Sequence, residues 1–166
     1  MKNQKGQDIV EFALLFPVFM IIITGIMYVG FLFGDYVSLN NQARSIARDA
    51  AVVGHYTTKT VDGQTSTVDN YAVLKNDYSN MIQNKGIVTG LYSFKKLDIT
   101  EITEEDAKKD PNVGPAGSVQ VILTMTLNKE AGFGKLVSLL GIPKLLGDDI
   151  SIKYYMHDET YQKSGS

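Results

Sequence analysis

The residues of this chain best placed to do chemistry are carboxylates at its amino end. Asp8 and Glu11 stand just ahead of an apolar run in which nothing charged occurs between Phe12 and Phe33. A carboxylate at the lip of such a run is costly unless it stays at the aqueous boundary or meets a cation. The other candidates for chemistry are sparse. His55 and His157 lie far apart in sequence, and neither belongs to an H-x-x-x-H or nucleophile-flanked arrangement. The chain has no cysteine, which removes disulfides, thiolate catalysis and cysteine-based metal sites. No G-x-S-x-G, Walker loop or G-x-G-x-x-G is present, and Gly132-Phe133-Gly134-Lys135 reads as a turn. The acidic stretch Glu101–Asp110 lacks the spacing and central glycine of a calcium loop, so a solvated face is expected there. The expectation is therefore no catalytic residue, no metal and no cofactor, and a protein that is not an enzyme.

What must position Glu11 is the helix it opens. Phe12–Phe33 is 22 residues, about 33 Å at 1.5 Å per residue, which matches a hydrocarbon core of roughly 30 Å. A soluble core helix is seldom apolar on every face for that length. Lys2 and Lys5 precede the run without an acid among them, and Asp35 follows it. That asymmetry places the amino terminus in the cytoplasm, with a single pass through the cytoplasmic membrane and the remainder outside. A secretory signal fits poorly, because the run is too long and no small-x-small site follows Phe33 promptly. Pro17 removes a backbone hydrogen bond and predicts a kink, and Gly30 and Gly34 form a small-xxx-small pair suited to helix packing.

Gly6, then Gln7-Asp8-Ile9-Val10, then Glu11-Phe12 resembles the cleavage motif of type IV prepilin-like proteins. The resemblance implies cutting after Gly6 by a prepilin peptidase, which leaves Gln7 as the first residue and Glu11 as the fifth. The new α-ammonium, with a reference pKa of about 7.7–8.0, would be the cation that Glu11 of a neighbouring subunit lacks; Asp8 would compete for it. Val10-Glu11-Phe12-Ala13-Leu14-Leu15-Phe16-Pro17, with Ala43-Arg44-Ser45-Ile46-Ala47-Arg48 further on, is similar to the TadE-like pseudopilins of tight-adherence pilus systems. These motifs cover about the first third of the chain. They imply other pilin subunits, the pilus assembly platform and membrane lipid as partners, and a place at the cell surface once assembled.

Beyond the span the helical pattern continues from Asp35 to Val53, with Leu39, Ala43, Ile46 and Ala50 on one apolar stripe and Gly54 as the stop. Arg44 and Arg48 share a face. They either pair with Asp35, Asp49 or headgroups, or contact the folded domain or a neighbouring subunit. His55–Val68 reads as a loop or hairpin turning at Asp62-Gly63. Residues 69–85 read as a helix capped by Thr67 or Asp69 and ended by Gly86, with Tyr71, Leu74, Tyr78, Met81 and Ile82 inward. Leu91–Ile102, Ser118–Asn128 and Ile150–His157 alternate as strands, separated by a turn at 110–117 and by an apolar connection at Gly132–Gly147 around Pro143. That connection predicts a short helix on the sheet or the bilayer surface; the tail 163–166 reads as disordered.

The expected architecture is α+β: a leader at 1–6, a long helix at 7–53 with its span at about 12–33, and an exported domain at 54–166. That domain would place one or two helices on an antiparallel sheet of three or four strands. With 16 basic and 18 acidic residues, two of the lysines inside the leader, nothing favours nucleic acid. The resemblance implies a minor pilin or pseudopilin acting in initiation or assembly of a tight-adherence pilus, and so in adhesion. The alternatives are a single-pass anchored binding module that never enters a filament and, third, an anchored enzyme.

Overall fold

The computed structural model describes residues 4–62, 64–85, 90–110, 112–130, 132–141 and 147–161. Expectations that fall on Gly63, Gly86, Pro143 with its neighbouring leucines, the first three leader residues and the tail 163–166 lie outside the described residues. One continuous helix, α1 (Gln4–Val53), runs through Pro17. Gly54 ends it as expected: its φ is +71°, and its N–H bonds back to the Ala50 carbonyl at 3.0 Å. A side chain there would meet Thr160 as well as the backbone strain.

A hairpin of β1 (Tyr56–Val61) and β2 (Gln64–Asp69) follows, paired antiparallel, with Asp62 at φ +52° in its turn. Asp69 then accepts from the N–H of Ala72 at 3.0 Å and caps α2 (Asn70–Lys85). The second sheet holds β3 (Tyr92–Ile102), β4 (Ser118–Leu127) and β5 (Asp149–His157), antiparallel in the order β3-β4-β5. Between them lie α3 (Glu104–Lys109) and α4 (Gly132–Leu139).

The α+β class and the three-stranded antiparallel sheet agree with expectation; among the described residues three helices follow α1, more than the one or two expected. The extra helix, α3, comes from the acidic stretch: Thr103 and Asp106 form a reciprocal capping box, and Glu104 and Glu105 precede Lys108 and Lys109 at i, i+4. Gly132–Lys135 is no mere turn but the first turn of α4. A Cβ on Gly134 would lie 2.0 Å from the Asn128 carbonyl oxygen, so only glycine lets α4 sit this close to the end of β4.

The core is built where period-two and period-3.6 faces meet. Val119, Val121, Leu123, Met125 and Leu127 of β4 are all buried, and Leu123 pairs across the sheet with Leu97 and Ile152. Against that face lie α2, over β3, and the second half of α1, over β4 and β5. Leu39, Ala43, Ile46 and Ala50 of α1 are sealed in the same core. The small alanines let helix and sheet approach closely, so this half of α1 is a structural member of the domain. Tyr78 of α2 donates to Asp49 of α1, and Lys75 reaches Asp98 on β3 at 3.2 Å. Although partial burial opposes it, the Lys96 and Lys75 ammonium groups hold the Asp98 carboxyl below the usual range.

Candidate functional site: an uncovered apolar helix

The first half of α1 touches little of the domain. From Ile9 to Ile23 its large apolar side chains stand open on every side; Ile9, Phe12 and Leu14 are about 70% exposed. Thr24 satisfies its hydroxyl within the helix by donating to the Met20 carbonyl at 2.8 Å. An apolar surface of this extent is not left to water; lipid or other helices cover it. The helix is long and apolar enough to cross a membrane.

Glu11 and Asp8 sit at the entrance of this surface, both exposed, with Phe12 packed against Phe16 at a ring separation of 5.9 Å. Gly6 lies inside the helix, where an added Cβ would have no atom within 4 Å, and Gly30 and Gly34 are equally open. The fold therefore does not require glycine at any of the three. Gly30 and Gly34 face away from the domain, so any close packing they permit is with another helix.

The domain begins to cover α1 at Thr24, and Tyr28 is fully shielded. Read in the sequence as one more member of the apolar run, Tyr28 brings a hydroxyl, which meets that of Tyr92 at 3.0 Å in a buried site. Phe31 follows, edge-on to Phe133 at 5.2 Å. Asp35 lies on the same face, 1% exposed. Asp49, one turn beyond Ser45, accepts from the Tyr78 hydroxyl. Among the described residues Arg44 and Arg48 form no ion pair. They line an open groove of about 500 Å³ with Asn41, Ser45, Met156 and Glu159.

The histidines do not converge on a site. His55 stacks between Tyr56 and Tyr71, with Nδ1 3.3 Å from Glu101 and Nε2 3.7 Å from Asp69. It joins the end of α1 to the hairpin and to β3. His157 is exposed at the end of β5. Among the described residues no three His, Asp or Glu side chains are grouped to hold a metal ion. Beside His55, buried Asp158 accepts from the Thr160 N–H and hydroxyl at 2.7 Å and from the Tyr71 hydroxyl at 3.3 Å. Burial first, and the Asp158 carboxylate second, push the Tyr71 hydroxyl well above its ordinary pKa.

Sequence reasoning missed Tyr28, Tyr92, Asp35 and Asp158 as organising groups. Only Tyr28 carried a signal, a phenol inside an otherwise hydrocarbon run. Neither the curated proteins nor the solved structures contain a match to the chain. From the glycine ahead of the carboxylates to the second arginine, residues 6–48 match the family model described as TadE-like protein.

Proposed function

We propose that this chain is a pilin-like subunit of a tight-adherence type pilus, a minor pilin or pseudopilin acting in initiation or assembly. The observation that carries the reading is α1 itself. Its first half is apolar and uncovered on all sides, opens with Glu11, and lies within the stretch matched as TadE-like. Such a helix serves two solvents in turn: a bilayer before assembly, and a bundle of the corresponding helices of other pilin subunits afterwards.

In this reading a prepilin peptidase cuts between Gly6 and Gln7, and the assembly platform then takes up the mature chain. Glu11 pairs with the new terminus of a neighbour, while Phe12 and Pro17 shape the helix start. The small faces at Gly30 and Gly34 meet adjacent helices. Arg44 and Arg48 contact another subunit. Arg44 lies 11 residues past Phe33, about 16 Å along the axis and beyond a headgroup layer roughly 5–8 Å deep.

The test is the mass of the native chain. Processing predicts a polypeptide that begins at Gln7. A native chain beginning at Met1 speaks for the alternative, an anchored extracytoplasmic binding module outside any filament.

A further inference from the structure

The charge-free run of α1 and the folded domain overlap in height. Between Phe12 and Ile23, where α1 is both uncharged and clear of the domain, there are 12 residues, about 18 Å of helix. That is well short of a hydrocarbon core of roughly 30 Å. Sliding the helix toward its amino end would carry Glu11 and Asp8 into hydrocarbon, where a carboxylate is costly. The other way to fill the thickness is to use Thr24–Phe33, and that brings the lower edge of the domain into the bilayer.

The surface at that edge suits this. The Phe31–Phe133 contact sets the start of α4 at the height of Phe31, inside the charge-free run. Val137 fixes α4 to the core, while Leu136, Leu139 and Leu140 turn outward, 44%, 76% and 41% exposed. A helix facing water would place polar side chains there. On the same part of α1, Tyr28, Leu32, Phe33, Tyr36, Tyr92 and Ile150 line an open, mostly apolar groove of about 520 Å³, whose polar rim holds Ser151 and Asp149, the latter ion-paired to Lys95. Tyrosines at this level are the side chains an interface favours, and Lys135 on α4 can extend to headgroups.

We propose that α4 and this groove lie in the bilayer leaflet on the domain's side, with acyl chains against Leu136, Leu139 and Phe33. The inference rests on the reading of α1 as a membrane helix. Because the chain has no cysteine, single spin labels are read without background. Leu139→Cys, Leu136→Cys, Ile22→Cys and Lys108→Cys are labelled in the full chain, in vesicles of phosphatidylethanolamine and phosphatidylglycerol. Collision with oxygen is then compared with collision with a water-soluble nickel complex. The expected result is an oxygen-to-nickel ratio at Leu139 and Leu136 several-fold above Lys108 on α3 and approaching Ile22. Ratios at Leu139 and Leu136 equal to Lys108, with Ile22 lipid-exposed, overturn the proposal and leave the membrane helix standing. A water-exposed Ile22 overturns both. Shielding of Leu139 from both reagents, with spin–spin broadening lost on dilution by unlabelled chain, assigns the surface to a second copy and overturns the proposal too.

Discussion

The hydroxyl oxygens of Tyr28 and Tyr92 lie 3.0 Å apart with both residues shielded from water, and they join the apolar helix to the first strand of the three-stranded sheet. Up to Ile23 α1 is free; from this contact onward one face of α1 is part of the core. The position of the pair therefore decides how much helix is left over for the bilayer or a filament, and fixes the orientation of the domain on its stalk.

Replacing either tyrosine by phenylalanine leaves the other hydroxyl buried without its partner. Each single change is expected to cost about 1–3 kcal/mol, and the double change less than the sum of the two. Urea unfolding of the four proteins of the cycle in one detergent measures the coupling. Additive effects would mean that the two hydroxyls act independently.

Gly6 and Gly134 predict opposite phenotypes. Alanine at 134 would press its Cβ into the Asn128 carbonyl, a backbone atom with no freedom to yield. Gly134→Ala is expected to lose about 1–3 kcal/mol of stability while the chain is still processed. Leucine at 6 meets nothing within 4 Å at its Cβ, so the melting profile is expected to be unchanged; if a prepilin peptidase cuts after Gly6, cleavage stops. Thermal melts and intact mass on both variants separate folding from processing.

The Tyr71 hydroxyl is held above its ordinary value of 10.0 by burial and by Asp158. The folded chain thus keeps this proton more tightly than the unfolded chain does. Its contribution is fully present below about pH 10 and is lost as pH rises from there through the folded value. Wild type is expected to lose stability between about pH 10 and 12, and Tyr71→Phe to lose less over the same interval. Denaturant unfolding at pH 8 and pH 11 gives the comparison; equal losses would assign the alkaline effect elsewhere.

The sheet was legible because β4 alternates strictly, Val119 to Leu127, and one pattern of period two has one physical solution. Helix α2 was legible for the same kind of reason, an apolar face with Asp69 at its start. The stripe Leu39, Ala43, Ile46 and Ala50 named the buried face of α1, but periodicity does not say what covers a face. So the sequence left open that α1 and the sheet share a core. Nor does it assign partners to lone polar groups: Asp35 reads as the first residue in water and lies under the sheet. Helix α3 was readable from Thr103 and Asp106, yet the run of charge around them masked a six-residue helix. At the candidate site, Gly6 and Glu11 were visible because their spacing is local. The Tyr28–Tyr92 contact joins positions 64 residues apart, and no local pattern announces it.

Glu11 is exposed on a helix with no described neighbour that depends on it. Glu11→Gln is therefore expected to leave the stability of the domain within about 0.5 kcal/mol and to be cleaved normally. If the carboxylate pairs with a neighbour's new terminus, the same variant assembles no pili. Intact mass and counts of sheared pili, taken from one culture, give both readouts, and normal piliation by Glu11→Gln would remove the assembly role.

Arg44 and Arg48 stand i, i+4 on the exposed face of the second half of α1, beside Glu159, without an ion pair among the described residues. Two guanidinium groups left open on a helix whose opposite face is sealed offer a forked set of donors to an acidic surface. Nothing in the fold depends on their charge, so Arg44→Ser with Arg48→Ser is expected to change stability by less than about 0.5 kcal/mol. If the arginines face a neighbouring subunit, the double variant is cleaved and membrane-bound like wild type but loses salt-sensitive cross-linking to that subunit. Replacement by lysine keeps the charge but not the fork, and restores the cross-link only in part. Unchanged cross-linking in the serine variant would show that this face of α1 meets no partner, and full rescue by lysine would show that charge alone suffices.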